Sequence, residues 1–210
     1  MQINNFLRLF PEIKSPDQKK LSFQEKIKWT LIILVAFFIL SVIPLFGLGQ
    51  NSLAQFEQLS IILGASFGSI VSLGIGPIVT ASIVLQLLTG SGILNIDTTK
   101  QEGKELFQGL NKIFSIFFII LEAAIFVFMG GLSPSPNLEG STHLIAQLIL
   151  ILQLIIGGFL IMFMAEVIDK WGLGQGISIF IAAGVSQQIL IRLISPLTQA
   201  GTIGFPLNNN

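Results

Sequence analysis

The sequence contains no cysteine. That excludes disulfides, thiolate metal sites and cysteine nucleophiles, and leaves the redox compartment undetermined. Histidine occurs once, at His143. A single imidazole cannot build a histidine-based metal site, and this one reads as an interfacial loop residue. Charge is scarce: 10% of the residues are Asp, Glu, Lys or Arg, with 11 of each sign. The sequence shows no Walker-type loop, nucleophile triad or metal-ligand cluster, so neither an enzyme nor a cofactor is expected.

What is abundant is apolar surface. Of 210 residues, 52% are hydrophobic, more than a soluble domain of this length can bury, so the expected class is an all-α integral membrane protein. The first 28 residues hold Arg8, Lys14, Lys19, Lys20, Lys26 and Lys28. This lead does not read as a signal peptide, because the apolar run starts late, at Trp29, and no small-residue cleavage site follows it. Within the lead, Ile3, Phe6, Leu7 and Phe10 have the spacing of a short helix on the inner membrane surface, with a loose arm as the alternative.

Four stretches are long enough to cross: residues 29–46, 113–130, 144–169 and 177–194. Between the first two lies Leu59–Leu88, a pair of apolar pieces broken at Ser72–Pro77. Counted as one crossing, the pair gives five transmembrane helices, N-terminus in and C-terminus out. Lys100, Lys104, Lys112 and Lys170 then join the basic lead on the inner side, and only Arg192 falls toward the outer side. The inner loops are 91–112 and 170–176; the outer loop 131–143 has Gly, Pro and Ser but no Lys or Arg, and 195–210 reads as an outer tail. Glu166 and Lys170, four apart, are placed to pair.

The broken segment is the informative one. From Ile75 to Leu88 there are 14 residues, about 21 Å of helix against a bilayer core of about 30 Å. Non-helical backbone at membrane depth is tolerated only against protein or a water-filled cavity. Pro77 suits the first turn of a new helix, and Gly74 and Gly76 form the hinge before it. A re-entrant piece, Phe56–Ser69 within segment 56–73, is expected to enter from outside. A half-helix, 74–90, then descends inward. Gly64 and Gly68 within the re-entrant piece form a GxxxG, read as close, loosely held packing.

At 100° per residue from Ile75, Val79, Ser82 and Gln86 fall on one stripe, opposite Val84, Leu85 and Leu88. An aliphatic pinch above a polar vestibule suits a gated pore, since an apolar constriction can dewet. Ordinary packing, with Ser82 and Gln86 bonding to neighbouring helices, is the alternative. The last span repeats the spacing in Ile177, Ile181, Gly184 and Gln188 after "GLGQGIS". Hydropathy leaves Ile177 near the inner surface, and the two stripes meet only if "GLGQG" lies deep. Glu122 is a carboxylate well inside a span, where such groups face a cavity or a partner. A proton relay would want a second titratable group, and none is near in sequence.

The stretches "LGIGPIVTASIVLQLLTGSGI", "ELFQGLNKIFSI", "LEAAIFVF" and "GLGQGISIFIAAGVSQ" resemble the archaeal form of the SecY family of protein-conducting channel subunits, along nearly the whole chain. The resemblance implies one half of an inverted-repeat channel in the cell membrane, with a cytoplasmic N-terminus. It implies a pore ring with Ile75, Val79, Ile177 and Ile181, and a plug containing Leu59, Ile61, Ile62, Gly64, Phe67 and Gly68. Thr80 and Glu122 match the polar cluster of a lateral gate. The implied activity is outward passage of unfolded secretory chains and sideways release of apolar helices. The implied partners are SecE-type and beta-type small membrane subunits, a ribosome or other motor, signal sequences and nascent polypeptides, the lipid bilayer, and a C-terminal half absent from this chain. The competing readings are half of an inverted-repeat secondary transporter, which also uses broken helices, and a truncated, non-conducting membrane module. A transporter should carry polar ligands at the break, where this chain has Ile75 and Val79.

Overall fold

In a computed structural model of the chain, the described residues are 13–14, 16, 21–49, 68–135, 138 and 140–194, with residues 102, 188 and 191–194 described by backbone alone. They form five helices: α1 Phe23–Val42, α2 Gly76–Gly90, α3 Gln101–Phe128, α4 Ser141–Trp171 and α5 Gly176–Ile194. Two stretches, 103–128 and 141–171, are by length and composition long and apolar enough to cross a membrane.

α1 starts ahead of its apolar run because Ser22 and Glu25 make a capping box. Ser22 Oγ accepts from the Glu25 N–H at 3.3 Å, and Glu25 Oε2 accepts from the Ser22 N–H at 3.2 Å. The helix stops at Val42 rather than Phe46, since Pro44 biases Ile43 toward the extended conformation it adopts. The apolar run 29–46 is therefore helix up to Val42 and extended chain beyond it. Those two pieces reach about 21 Å and about 13 Å, together enough for a bilayer core.

The extended piece finds its partners in the chain that leads to α2. The Leu45 N–H donates to Gly68 O at 2.8 Å and the Ile70 N–H to Ile43 O at 3.0 Å. Pro44 and Ser69 face each other between those bonds. Pro44 thus occupies a non-hydrogen-bonded position, where its missing N–H leaves no gap in the ladder. Farther out, the Gly49 N–H donates to Ser133 O at 3.0 Å.

α4 is the hub, 31 residues long, about 46 Å. It packs on α1, α3 and α5, and its Leu150, Leu154, Gly157, Gly158, Ile161 and Ile168 are buried. Two adjacent glycines near its midpoint admit close neighbours. A Cβ on Gly157 would overlap the carbonyl of Ile70, and one on Gly158 would lie 2.6 Å from Ile119 Cγ2 of α3. The backbone running into α2 therefore crosses α4 half-way along its length.

The 91–112 segment, expected as a loop, is helical from Gln101. Its "QEGKELFQGLNK" is rich in helix formers, and Gly103 lets the chain at Asp97 fold closely over the first turn. His143, expected in a loop, is in the first turn of α4.

Toward the C-terminal end of α4, Glu166 gathers α3, α4 and the N-terminal segment. It accepts from Lys112 Nζ at 2.9 Å, Lys170 Nζ at 3.1 Å and the Ile13 N–H at 3.1 Å. The Trp171 indole donates to Lys14 O at 3.0 Å and stacks obliquely on Trp29, with ring centres 5.6 Å apart. Thr30 Oγ1 accepts from the Leu173 N–H at 2.9 Å, tying α1 to the turn after α4. That turn folds back along α4: the Gly176 N–H donates to Asp169 Oδ1 at 2.6 Å, and Gly176 packs on the Ala165 backbone.

Two outcomes test this packing. Gly157→Ala is expected to lower stability by about 1–3 kcal/mol through overpacking against the Ile70 carbonyl. Gly184→Ala, where nothing lies within 4 Å, is expected to be neutral or slightly stabilising; thermal unfolding in detergent compares them. Lys112 and Glu166 side chains are 17% and 16% exposed. A double-mutant cycle of Lys112→Met and Glu166→Gln, read by the same unfolding, is therefore expected to give a coupling of about 1–2 kcal/mol. A coupling near zero would remove this pair as the tie between α3 and α4.

Candidate functional site

The entry to α2 is a run of tight turns followed by a proline-led helix. The Ser72 N–H donates to Ser69 O at 3.0 Å and the Gly74 N–H to Val71 O at 2.8 Å. Gly74 has φ +57°, a left-handed conformation that a side chain would strain. Ile75 caps the helix and Pro77 stands in its first turn, buried, where no N–H is required. Val71 and Leu73 are buried on either side of Ser72, while Ser72 and Gly74 are half-buried and Gly76 is exposed.

The hinge also receives Glu122. A Cβ on Gly76 would lie 3.4 Å from Glu122 Oε2, so the carboxylate of α3 rests against the first turn of α2. Thr80, one turn further along α2, is half-buried.

The stripe expected along α2 divides in two. Ile75 is half-buried against the apolar core, Val79 is half-buried, and Gln86 is exposed. Ser82 turns instead to α3, with its Oγ 3.0 Å from both Asn111 Oδ1 and Ile78 O. Ser82 therefore belongs to the packing face with Ile78, Ala81 and Leu85, all buried. Leu85, expected opposite the stripe, is fully enclosed within the described residues.

On α5, Ile177 is half-buried against the same core as Ile75, and Ile181 is 47% exposed. Phe180 between them is buried on Phe37 of α1, with ring centres 5.1 Å apart. Because α5 begins beside Ala165, "GLGQG" folds back along the C-terminal part of α4. Ile181 lies about 6 Å farther along α5 than Ile177. Of the plug stretch, Leu59, Ile61, Ile62, Gly64 and Phe67 lie outside the described residues, as does the N-terminal helix expected from Ile3 to Phe10. Gly68 is described: buried, at φ +83°, with its carbonyl bonded to Leu45.

Two residues of consequence were not singled out from the sequence. Asn111 receives Ser82. Gln153 meets both backbone groups of Phe46, at 2.8 and 3.0 Å. The signal for Gln153 was present, a lone amide deep in an apolar run; its partner, 107 positions away in the chain, was not.

Comparison with known proteins follows the same lines. Residues 69–209 match the SecY family model and residues 35–68 match the plug domain of Sec61p. The chain is 49% identical over 199 residues to the protein translocase subunit SecY of Methanothermobacter thermautotrophicus, covering 94% of this chain and 42% of that protein. To the SecY of Pyrococcus horikoshii it is 43% identical, covering 92% and 41%. Among solved structures, one of SecY concerned with how its plug domain stabilises the closed channel superposes with a TM-score of 0.78 at 38% identity, covering 91% of this chain and 42% of the other. Sec61 in a canine ribosome–channel complex superposes at 0.73 with 35% identity, covering 91% and 43%. The chain thus spans about two fifths of the length of these relatives. With the family model matched over more than half of its residues, the chain belongs to the SecY family.

Proposed function

We propose that this chain builds one half of the wall of a protein-conducting channel, through which unfolded secretory polypeptides pass outward and apolar helices leave sideways into lipid. The observation that carries this reading is the depth of the break. Ile70 crosses α4 at Gly157, half-way along that helix, which in this reading sets the non-helical entry to α2 and the aliphatic residues after it half-way through the bilayer. Five crossings with the N-terminus inside fit the cation distribution, α1 with its extended end counting as one and 68–90 as another.

In this reading Ile75, Val79, Ile177 and Ile181 contribute to a narrow apolar collar that can shed water and seal against ions. The segment containing Leu59–Gly68 is the stopper above it. Thr80 and Glu122 belong to the polar cluster of a lateral gate of which α2 and α3 form one side, with Glu122 resting on the α2 hinge. The remaining collar residues and the opposite gate wall come from a complementary C-terminal half. The energy for transport comes from a ribosome or another motor, and SecE-type and beta-type subunits complete the assembly in the cell membrane. Chemistry is not required of the chain; wetting, packing and helix exchange are.

Two measurements test this with the complementary half present. A photo-crosslinker replacing Ile75 or Ile181 is expected to capture a stalled secretory chain, while one replacing Leu152, exposed on α4, captures lipid. Capture from Leu152 and none from Ile75 would sink the channel reading. Replacing Ile75 and Val79 together by Gly is expected to raise ion leak in a planar bilayer, because the collar widens and wets. Unchanged conductance would remove these two from the seal.

A further inference from the structure

The first span finishes as extended chain, and one side chain holds that finish. Gln153 lies on α4 one turn outward of Gly157. Its Oε1 accepts from the Phe46 N–H at 2.8 Å and its Nε2 donates to Phe46 O at 3.0 Å. A primary amide donates and accepts side by side, so it closes on one residue's backbone as a neighbouring strand would. The chain just before Phe46 is bonded to 68–70 through Leu45 and Ile43. From Ile70, which rests on Gly157, only the tight turns of 71–75 separate that ladder from α2. A continuous line of backbone contacts therefore runs from Gln153 to the entry of the half-helix.

We propose that Gln153 is a positioning residue that fixes the depth at which α2 begins, by clamping Phe46 and through it the ladder between 43–45 and 68–70. Its effect on the collar residues Ile75 and Val79 rests on the channel reading above; its effect on the ladder does not. Without the amide, the Phe46 N–H and C=O lose both of the bonds that tie them to α4. Losing the clamp therefore loosens the extended piece and the strand it pairs with. A glutamine serving only to contact another helix would leave the exchange of the ladder amides unchanged when removed.

The test uses the complete channel, with its complementary half, in lipid. Amide hydrogen exchange at Leu45, Phe46 and Ile70 is compared in the wild type, Gln153→Leu and Gln153→Glu, with Leu152→Ala as the control. Gln153→Leu is expected to speed exchange at all three amides by about tenfold, the equilibrium shift of one lost hydrogen bond, and to raise ion leak. Gln153→Glu keeps the acceptor for the Phe46 N–H and is expected to fall between. Because Pro44 and Ser69 form a non-hydrogen-bonded pair, with Cα atoms about 4.5 Å apart in such pairs, a disulfide between Pro44→Cys and Ser69→Cys fits the geometry. Oxidised, it is expected to return both exchange at Leu45 and Ile70 and leak to wild-type levels in Gln153→Leu. Unaltered exchange at Leu45 and Ile70, leak that rises without it, or a disulfide that restores neither, overturns the proposal. If exchange responds as described but the wild-type channel neither seals nor passes a polypeptide, the channel reading fails and the clamp stands.

Discussion

The structure depends on one constraint: backbone N–H and C=O groups that leave the helical ladder inside a membrane must be paired within the protein. Helices α3 and α4 satisfy themselves. The stretches 43–49 and 68–75 cannot, and almost every unusual feature of the chain serves them. The two stretches bond to each other, Pro44 stands where no N–H is needed, Gln153 supplies a donor and an acceptor for Phe46, and the turns at Ser72 and Gly74 close on their own carbonyls. Gly157 then lets this composite lie directly on α4. A side chain at 157 would hold it off the hub and open a gap at the depth where solvation is least available.

A second set of interactions fixes register at the C-terminal end of α4. Glu166 takes three donors from three parts of the chain. Desolvating a carboxylate and two ammonium groups is costly, and even a well-made pair returns little net stability. Its contribution is specificity: α3 can slide along α4 only by breaking the contact with Lys112. Asp169 and Thr30 act in the same way on the turn into α5, each offering an oxygen to a backbone N–H. The midpoint of α4 is thus fixed against its neighbours by close glycine contacts and its C-terminal end by charge and side-chain acceptors. The placement of α2 follows from the first and that of α5 from the second.

These two sets differ in how far the sequence exposes them. The break at Ser72–Pro77 was legible because a short apolar run with Gly-Ile-Gly-Pro at its head has few stable solutions in a membrane. The Glu166–Lys170 pair was legible because both residues sit on one helix, four apart. For Ser82 the packing alternative holds, because an angle on a helical wheel says which residues share a face, not which neighbour that face meets; Asn111 decides it. The start of α1 was hidden by reading the apolar run before the caps, although Ser-x-x-Glu stood in plain view. Extended backbone at the end of that run was hidden for a deeper reason. Its pairing partners are distant in sequence, so no local pattern announces that a membrane span can finish as a strand.

The half-helix itself makes the physical sense of the arrangement. Its 15 residues reach about 22 Å, too little to cross, and the missing depth is supplied by backbone that owes its pairing to other elements. The turns at Ser72 and Gly74 and the ladder to 43–45 pair that backbone within the protein, so the break does not depend on water to satisfy it. Val71, Leu73 and Pro77 are buried beside those turns, and aliphatic Ile75 and Val79 follow at the head of the half-helix. The same apolar character that would let a collar shed water therefore also protects the turns just above it, so sealing and folding select the same side chains at the same depth.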